Sequence, residues 1–372
     1  MLESPPTIIS SDARAGLDLA AGRTRAPRGG TSVSVVVPCL NEERFIGAVL
    51  RNLAGQYDGG AFEIIVVDGM SGDRTRGVIE DFREAHPDLE VRVVDNPARH
   101  IPAGVNLGIA AARGEIIVRM DAHSIPSANY VRSCVELLCG SDAAVVGMPW
   151  RIRASTDALV ARAIALAVAH PFGIGDAKYR APGQSAPLAV DTVPFGVFRK
   201  KLWQELGGFN EELLANEDYD FNYRVRQRGG RVLLDPSGHS IYFARPTLGT
   251  LARQYFRYGR WKAQMVKLHP RSIRWRHLVA PAFVVALVGL GALGVFWTPA
   301  LHWLLLPMLG LYALLALACS VQLARRGNDF KLMAVLPFIF FLLHSVWGSG
   351  FLLGLLRAPR PAGDARRKPE AG

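Results

Sequence analysis

Gly114-Glu-Ile-Ile-Val-Arg-Met-Asp-Ala-His-Ser-Ile-Pro126 is the stretch whose reading decides the fold. Ile116 to Met120 is a short, largely apolar run, which suits a strand buried on both faces, as in a parallel sheet. Asp121 stands where the run ends, and Pro126 forces the chain into a loop soon after. In open α/β sheets ligands bind beyond the carboxyl ends of the strands. An acid there, with His123 just beyond it, can aim two ligand atoms at one cation. Hard oxygen and imidazole suit Mg2+ or Mn2+ held beside a phosphate. The plainer alternative is a strand-ending aspartate that caps a turn.

Upstream the same pattern repeats. Val33 to Val37 reads as a first strand, followed by Pro38-Cys-Leu-Asn-Glu42. Asn41 is the expected N-cap of the next helix, with Glu42 and Glu43 in its first turn. Phe45, Ile46, Val49, Leu50 and Leu53 then share one helical face. The turn lacks the G-x-G-x-x-G that a dinucleotide fold needs for close pyrophosphate approach. Ile64 to Val67 is a second strand ending at Asp68, with a tight loop from Gly69 to Asp73 and a helix that turns Val78, Ile79 and Phe82 inward. Asp68 can accept a hydrogen bond from a base or ribose, or simply cap its loop. Val91 to Val94 is a third strand, and Pro102 opens a helix through Asn106 to Ala112. This βαβαβαβ order implies a mostly parallel sheet with right-handed crossovers.

Downstream, Ala143 to Met148 is a further strand. Ala158 to Ala169 is an alanine-rich helix too short to span a bilayer. The Pro/Gly-rich loop from Pro171 to Pro187 suits a cover on the acceptor side, or an ordinary surface loop. Asn216-Glu-Asp-Tyr-Asp220 runs on to Gly229-Gly230. Tyr219, Phe221, Tyr223 and Val225 alternate as in a strand, but the capping residues at both ends favour a helix. Glu217 and Asp218 then sit at its positive end, where ionised carboxylates are favoured. There they serve as a general base, or only stabilise the helix.

The chain has 372 residues, room for about two domains. It is 50% hydrophobic, but the apolar share concentrates beyond about residue 275. Residues 250–277 interleave Arg253, Tyr255, Phe256, Arg257, Tyr258, Arg260, Trp261, Lys262 and Trp275, as in a helix at a membrane interface, and Arg257 could reach a phosphate. Residues 278–297, 300–324 and 332–356 are long enough to cross about 30 Å of hydrocarbon. Arg325, Arg326 and Lys331 belong to the cytoplasm by the positive-inside rule. If the third stretch spans, the basic residues 357–372 lie outside against that rule. If it is re-entrant at Gly348-Ser-Gly350, they stay inside, so two or three transmembrane helices are expected. The net charge of +11 fits an anionic leaflet. Without zinc-finger spacing or an RNA-binding motif, no nucleic acid is expected as a partner. Residues 1–31 read as a disordered tail with no signal-peptide core. Cys39, Cys134, Cys139 and Cys319 form no metal-like pattern and suit a reducing compartment.

Taken together, Val33-Ser-Val-Val-Val-Pro-Cys-Leu-Asn-Glu42, Ile65-Val-Val-Asp68 with Ser71-Gly-Asp73, Asp121-Ala-His123 and Asn216-Glu-Asp218 resemble family 2 glycosyltransferases in order and spacing. Gln254-x-x-Arg257-Tyr258 resembles the Gln-x-x-Arg-Trp motif of their membrane-embedded members. The match is most similar to the bacterial succinoglycan-biosynthesis type. The resemblance implies an α/β, GT-A-like fold: a mostly parallel Rossmann-type sheet over residues 32–249, the interface region 250–277, then a transmembrane helical region over 278–356. It implies a nucleotide site lined by Pro38, Glu42 and Asp68, with Asp68 on uracil, and we count Asn106 and Arg257 with it. Asp121 would be the metal acid, joined by His123, and Asp218 the base with Glu217 beside it. The implied activity is inverting transfer of glucose from a UDP-sugar to a lipid-linked saccharide in exopolysaccharide biosynthesis. Mg2+ or Mn2+ would be the cofactor. The implied location is the inner membrane, multi-pass, with a cytoplasmic catalytic domain. Leu40, His123 and Tyr258 depart from the commonest family residues. A processive polysaccharide synthase and a non-catalytic membrane scaffold that keeps the fold are the alternatives.

Overall fold

The computed structural model describes residues 30–180, 183 and 185–356. Nearly all of the expected amino-terminal tail and the whole of 357–372 lie outside the described residues. The part before the apolar helices runs β1 (Val33–Cys39), α1 (Ile46–Leu53), β2 (Phe62–Asp68), α2 (Thr75–Ala85), β3 (Glu90–Asp95), α3 (Ile101–Ala111), β4 (Ile116–Arg119), β5 (Ile125–Pro126), α4 (Tyr130–Gly140), β6 (Ala143–Gly147), β7 (Trp150–Ala154) and α5 (Leu159–Ala167). It continues with α6 (Pro171–Ile174), β8 (Leu188–Ala189), β9 (Val197–Arg199), α7 (Lys200–Leu206), α8 (Glu217–Gln227), β10 (Arg231–Leu234) and β11 (Ser240–Ala244). Last come α9 (Leu248–Leu268), α10 (Arg276–Phe296), the short α11 (Thr298–Ala300), α12 (Leu306–Arg326) and α13 (Leu336–Leu356).

The main sheet has the order β3-β2-β1-β4-β9-β6-β10-β8. β1 is parallel to β2 and β4, β2 to β3, and β6 to β10. β9 is antiparallel to both β4 and β6, and β8 closes the edge antiparallel to β10. A second sheet, β5-β11-β7, stands beside the first.

Successive strand residues point to opposite faces, and both faces are filled. Val33, Val35, Val37, Ile64, Val66, Ile116 and Val118 pack with Ile46 and Leu50 of α1 and Tyr130 and Val131 of α4. Val36, Ile65, Val67 and Ile117 pack on the other side with Val105 and Ile109 of α3 and Phe221 and Val225 of α8. That is why these strands read as continuous apolar runs. α3 lies so close to the sheet that a Cβ on Gly108 would stand 2.7 Å from a Val67 methyl.

Two local expectations are corrected. Asn41 does not cap α1, which begins at Ile46 behind an uncapped Phe45. Asn41 takes a left-handed φ of 55° and accepts from Gly72 N at 2.9 Å, so its side chain serves the neighbouring loop. Asn216 precedes α8 with φ 68° and makes no side-chain cap. The stretch after it is helical, as the end signals indicated, despite its alternation.

Three apolar helical stretches, Arg276–Phe296, Thr298–Arg326 and Leu336–Leu356, are long and apolar enough to cross a membrane. They pack unequally. α13 runs beside the basic α9, with no room for a Cβ at Gly259, Gly350 or Gly354 where the two backbones touch. It meets α10 near that helix's start, where Gly348 abuts Ala280 and His277 stacks on Trp347. Arg162 of α5 pairs with Asp329 beyond the end of α12, and His344 Nε2 donates to the Phe172 carbonyl at 2.7 Å.

Candidate active site

Strand ends build the site. β1, β2 and β4 run in the same direction, so Cys39, Asp68 and the residues after Arg119 emerge at one rim. At about 4.8 Å per strand spacing, the ends of β2 and β4 lie about 10 Å apart across β1.

Its centre is a residue that the sequence reading passed over. Arg119, the last residue of β4, is buried, and its guanidinium holds three carboxylates. Nη2 lies 3.0 Å from Asp121 Oδ1 and 3.3 Å from Glu217 Oε1, and Nη1 lies 3.2 Å from Asp218 Oδ2. Its Cζ sits 5.3 Å over the Phe195 ring. Burial works against this charge, but Asp121, Asp218 and Glu217 outweigh it and hold the guanidinium's pKa above the ordinary arginine value. The signal was present in the sequence: a cation inside an otherwise apolar, fully buried strand has to meet a partner.

α8 delivers the other acids. Its first turn places Glu217 and Asp218 at a helix amino-terminus facing Arg119. Glu217 is the deeper, with a side chain 10% exposed against 25% for Asp218. Burial and the neighbouring Asp218 charge push Glu217 up to about 7. Burial also raises Asp218, while Arg119 pulls it down and Asp121 adds to the rise. The structure thus brings together Asp121, Glu217 and Asp218 from positions far apart in the chain.

His123 and Glu42 form the adjoining wall. His123 Nδ1 lies 3.0 Å from Glu42 Oε1, and this hydrogen bond raises the imidazole pKa against the effect of burial. Glu42 is itself anchored, its backbone N–H donating to Thr75 Oγ1 at 2.8 Å. Among the described residues no three His, Cys, Asp or Glu side chains converge as a ready-made metal cage.

The remaining expected residues are placed differently. Asp68 reaches the rim but is fully buried and fully engaged: Ser71 Oγ donates to Oδ1 at 2.5 Å and Arg76 Nε to Oδ2 at 2.6 Å. It organises the Gly69–Asp73 loop, and a base could reach it only by displacing those donors. Pro38 is buried within β1, in register with Val67. Asn106 is corrected to a structural tie. Its Oδ1 accepts from Trp203 Nε1 at 3.0 Å and Phe209 N at 2.8 Å, and its Nδ2 donates to the Phe209 carbonyl and to Glu211. Arg257 stands exposed on α9, whereas Gln254 turns inward and donates to Tyr242 and Tyr258 hydroxyls at 3.1 Å each.

A two-sided, mostly parallel sheet whose rim gathers acids around an arginine is the layout of a GT-A-like transferase. Residues 34–207 match the model for glycosyl transferase family 2. The chain is 30% identical to the succinoglycan biosynthesis protein ExoA of Rhizobium meliloti, over 88% of this chain and 96% of that protein. It is 22% identical to a dolichyl N-acetyl-alpha-D-glucosaminyl phosphate 3-beta-D-2,3-diacetamido-2,3-dideoxy-beta-D-glucuronosyltransferase of Methanococcus voltae, over 87% of this chain and 97% of that one. Its fold is similar to that of the mannosyltransferase PcManGT from Pyrobaculum calidifontis, solved with GDP-Man and Mn2+. The TM-score is 0.59 at 20% identity, over 93% of this chain and 92% of that chain. The chain belongs to glycosyltransferase family 2, and it is a glycosyltransferase.

Proposed function

We propose that the protein moves a sugar, glucose by its resemblance to the succinoglycan type, from a UDP-sugar to a lipid-linked saccharide at the cytoplasmic face of the inner membrane, in exopolysaccharide assembly. One observation carries this reading: the carboxylate cluster of Asp121, Glu217 and Asp218 held on Arg119.

Asp218 is the base. It is the more open of the two α8 acids, and its negative charge drives Glu217 toward the protonated form near neutrality. It accepts the proton of the acceptor hydroxyl as that oxygen bonds to the anomeric carbon. The bond from that carbon to the nucleoside diphosphate breaks on the opposite face. A single displacement inverts the centre, so an α-linked donor gives a β-glycoside. Arg119 fixes the positions of all three acids, which is where much of the rate advantage of an ordered site arises.

The residues fit a divalent cation. Asp121 offers a partly open carboxylate, and His123 is oriented by Glu42 through one ring nitrogen, leaving the other for a ligand bond. Mg2+ commonly uses one or two protein ligands and completes its shell with substrate phosphates and water. When bound, such a cation neutralises charge developing on the leaving diphosphate.

The proposal extends to the membrane arrangement. α10 and α12 form a hairpin that crosses and returns, since Asp329 meets Arg162 of the catalytic part. α13 packs backbone to backbone against α9, and in this proposal it lies with that helix at the interface rather than crossing. A reporter fused after residue 356 should be fluorescent as green fluorescent protein and inactive as alkaline phosphatase. The reverse pattern would mean that the third stretch crosses as well.

The decisive assay is transfer from radiolabelled UDP-sugars to membrane lipid extract. Asp218→Asn should abolish transfer while leaving UDP binding intact; normal turnover by that variant removes Asp218 as base. A single added sugar on a defined primer is expected, and a product ladder would favour a processive synthase.

A further inference from the structure

We propose that Arg180, Trp150 and the tyrosines around them form a second anion site, one that takes a phosphoryl group on the acceptor side of the catalytic cluster. This rests on the transferase reading above.

Arg180 ends a short 3-10 turn, Lys178–Arg180, and its guanidinium is wrapped in aromatic rings. The Cζ lies 5.0 Å from the Trp150 ring centroid and 5.4 Å from that of Tyr179. Nη1 donates to Tyr255 Oη at 3.0 Å. Nε is buried with no hydrogen-bond partner, and so is the indole Nε1 of Trp150. Among the described residues no carboxylate pairs with Arg180. A guanidinium carries five N–H donors, and the acceptor found for them here is one neutral phenol.

This arrangement is unbalanced. Burying an unpaired charge costs more than a desolvated cation–π contact returns. The rings are held rigidly: Trp150 stacks on Tyr242 at 4.4 Å with planes 5° apart, and Tyr242 is fixed in turn by Gln254. Every unmet polar atom in the box is a donor. A ligand that completes it must be rich in acceptors, and a planar guanidinium fork matches phosphoryl oxygens two at a time.

The location selects the role. Trp150 begins β7, just past the carboxyl end of β6, on the half of the rim away from β1–β3. Its ring lies 5.7 Å from Phe195, and Phe195 carries Arg119 on its face. On its far side the box is closed by Tyr255 of α9, the helix that runs beside α13. A phosphoryl group bound to Arg180 therefore sits between the carboxylates and the membrane-facing helices. That is the position of the diphosphate of a lipid carrier whose sugar reaches Asp218. The donor's own diphosphate has the same chemistry and is the other source.

The test uses the full chain in lipid nanodiscs. Binding of UDP with Mn2+ and of farnesyl diphosphate in the bilayer is measured for the wild type, Arg180→Gln, Arg180→Lys and Trp150→Phe. Losing a charge-assisted bond should weaken one probe by at least about tenfold in Arg180→Gln. Arg180→Lys should retain part of the affinity, and Trp150→Phe, which keeps a ring but removes the N–H, should lose a smaller factor. A loss confined to farnesyl diphosphate assigns the site to the lipid carrier, and a loss confined to UDP assigns it to the donor. Wild-type affinity for both probes in Arg180→Gln and Trp150→Phe, at unchanged thermal stability, overturns the site. Should Arg180→Gln fail to fold, Trp150→Phe decides alone. A wild-type chain that binds no UDP at all overturns the transferase reading instead.

Discussion

Replacing Glu217 by Gln should make the protein more stable, and by an amount that depends on pH in a defined direction. Burial and Asp218 raise the Glu217 carboxyl from 4.5 to about 7. At about 1.4 kcal/mol per pH unit, this is a penalty of about 3 kcal/mol for keeping the ionised form in the folded site. The sign follows from proton linkage. Well below pH 4.5 the carboxyl is protonated in both folded and unfolded chains, and the penalty is absent. Between 4.5 and 7 the folded chain binds more protons than the unfolded one, so stability falls as pH rises. Above about 7 the loss is complete. Glutamine matches the protonated side chain in shape and never ionises, and Arg119 keeps Asp121 and Asp218 as partners. The stability of Glu217→Gln minus that of wild type should therefore grow by about 3 kcal/mol from about pH 4 to about pH 8. Denaturant midpoints in detergent micelles, followed by tryptophan fluorescence across that range, measure it. Because the difference cancels the titrating groups that do not touch Glu217, a flat or falling curve would refute the account of the cluster's electrostatics.

Other outcomes follow from the same contacts. Arg119→Met strands three acids and should cost about 3–5 kcal/mol, read from the denaturant midpoint, with Arg119→Lys recovering part. Asp121→Ala should remove the response of UDP binding to Mn2+ or Mg2+, so that calorimetry with and without EDTA gives the same affinity. Wild type should lose affinity and transfer on chelation. Gly108→Ala should cost about 1–3 kcal/mol by forcing α3 off Val36 and Val67, visible as a lower melting temperature.

Strands were the most legible part of this chain, because Val- and Ile-rich runs buried on both faces admit few other readings. Helix existence was also legible, but helix starts were not. Asn41 and Asn216 have the right identity for caps, yet each was taken by a left-handed turn, and no local pattern distinguishes the two uses. The antiparallel β9 was hidden because Val197–Arg199 is too short to show its direction. Asp121, Glu217 and Asp218 could be named from strand and helix ends, which fix where a side chain emerges. Arg119 was missed because its strand was read as an average rather than residue by residue. Asn106 and Asp68 show what sequence cannot: both lie in the expected region, but their side chains are engaged by backbone, loop and arginine donors that only tertiary contacts reveal. The third apolar stretch is long and apolar enough to cross like the other two, and length and hydropathy carry no record of its close contact with α9.

If the protein takes a nucleotide-sugar donor and a lipid-borne acceptor as proposed, the charge of the rim explains why it would need two separate ways of accepting anions. Three carboxylates surround one guanidinium, so the cluster carries excess negative charge before any substrate arrives. Protonation of Glu217 near neutrality relieves part of it, and the donor's diphosphate then adds more. Arg119 cannot help, since its donors are already directed at the acids. Under the proposed function, a cation at Asp121 and His123 would answer the donor's charge, whereas a lipid-borne phosphoryl group on the other side of Phe195 would meet a fixed one in Arg180. On this reading the phenylalanine ring between the two arginines has a purpose: it keeps the acceptor's anion close enough to place a hydroxyl against Asp218, yet insulated from the carboxylates that would repel it.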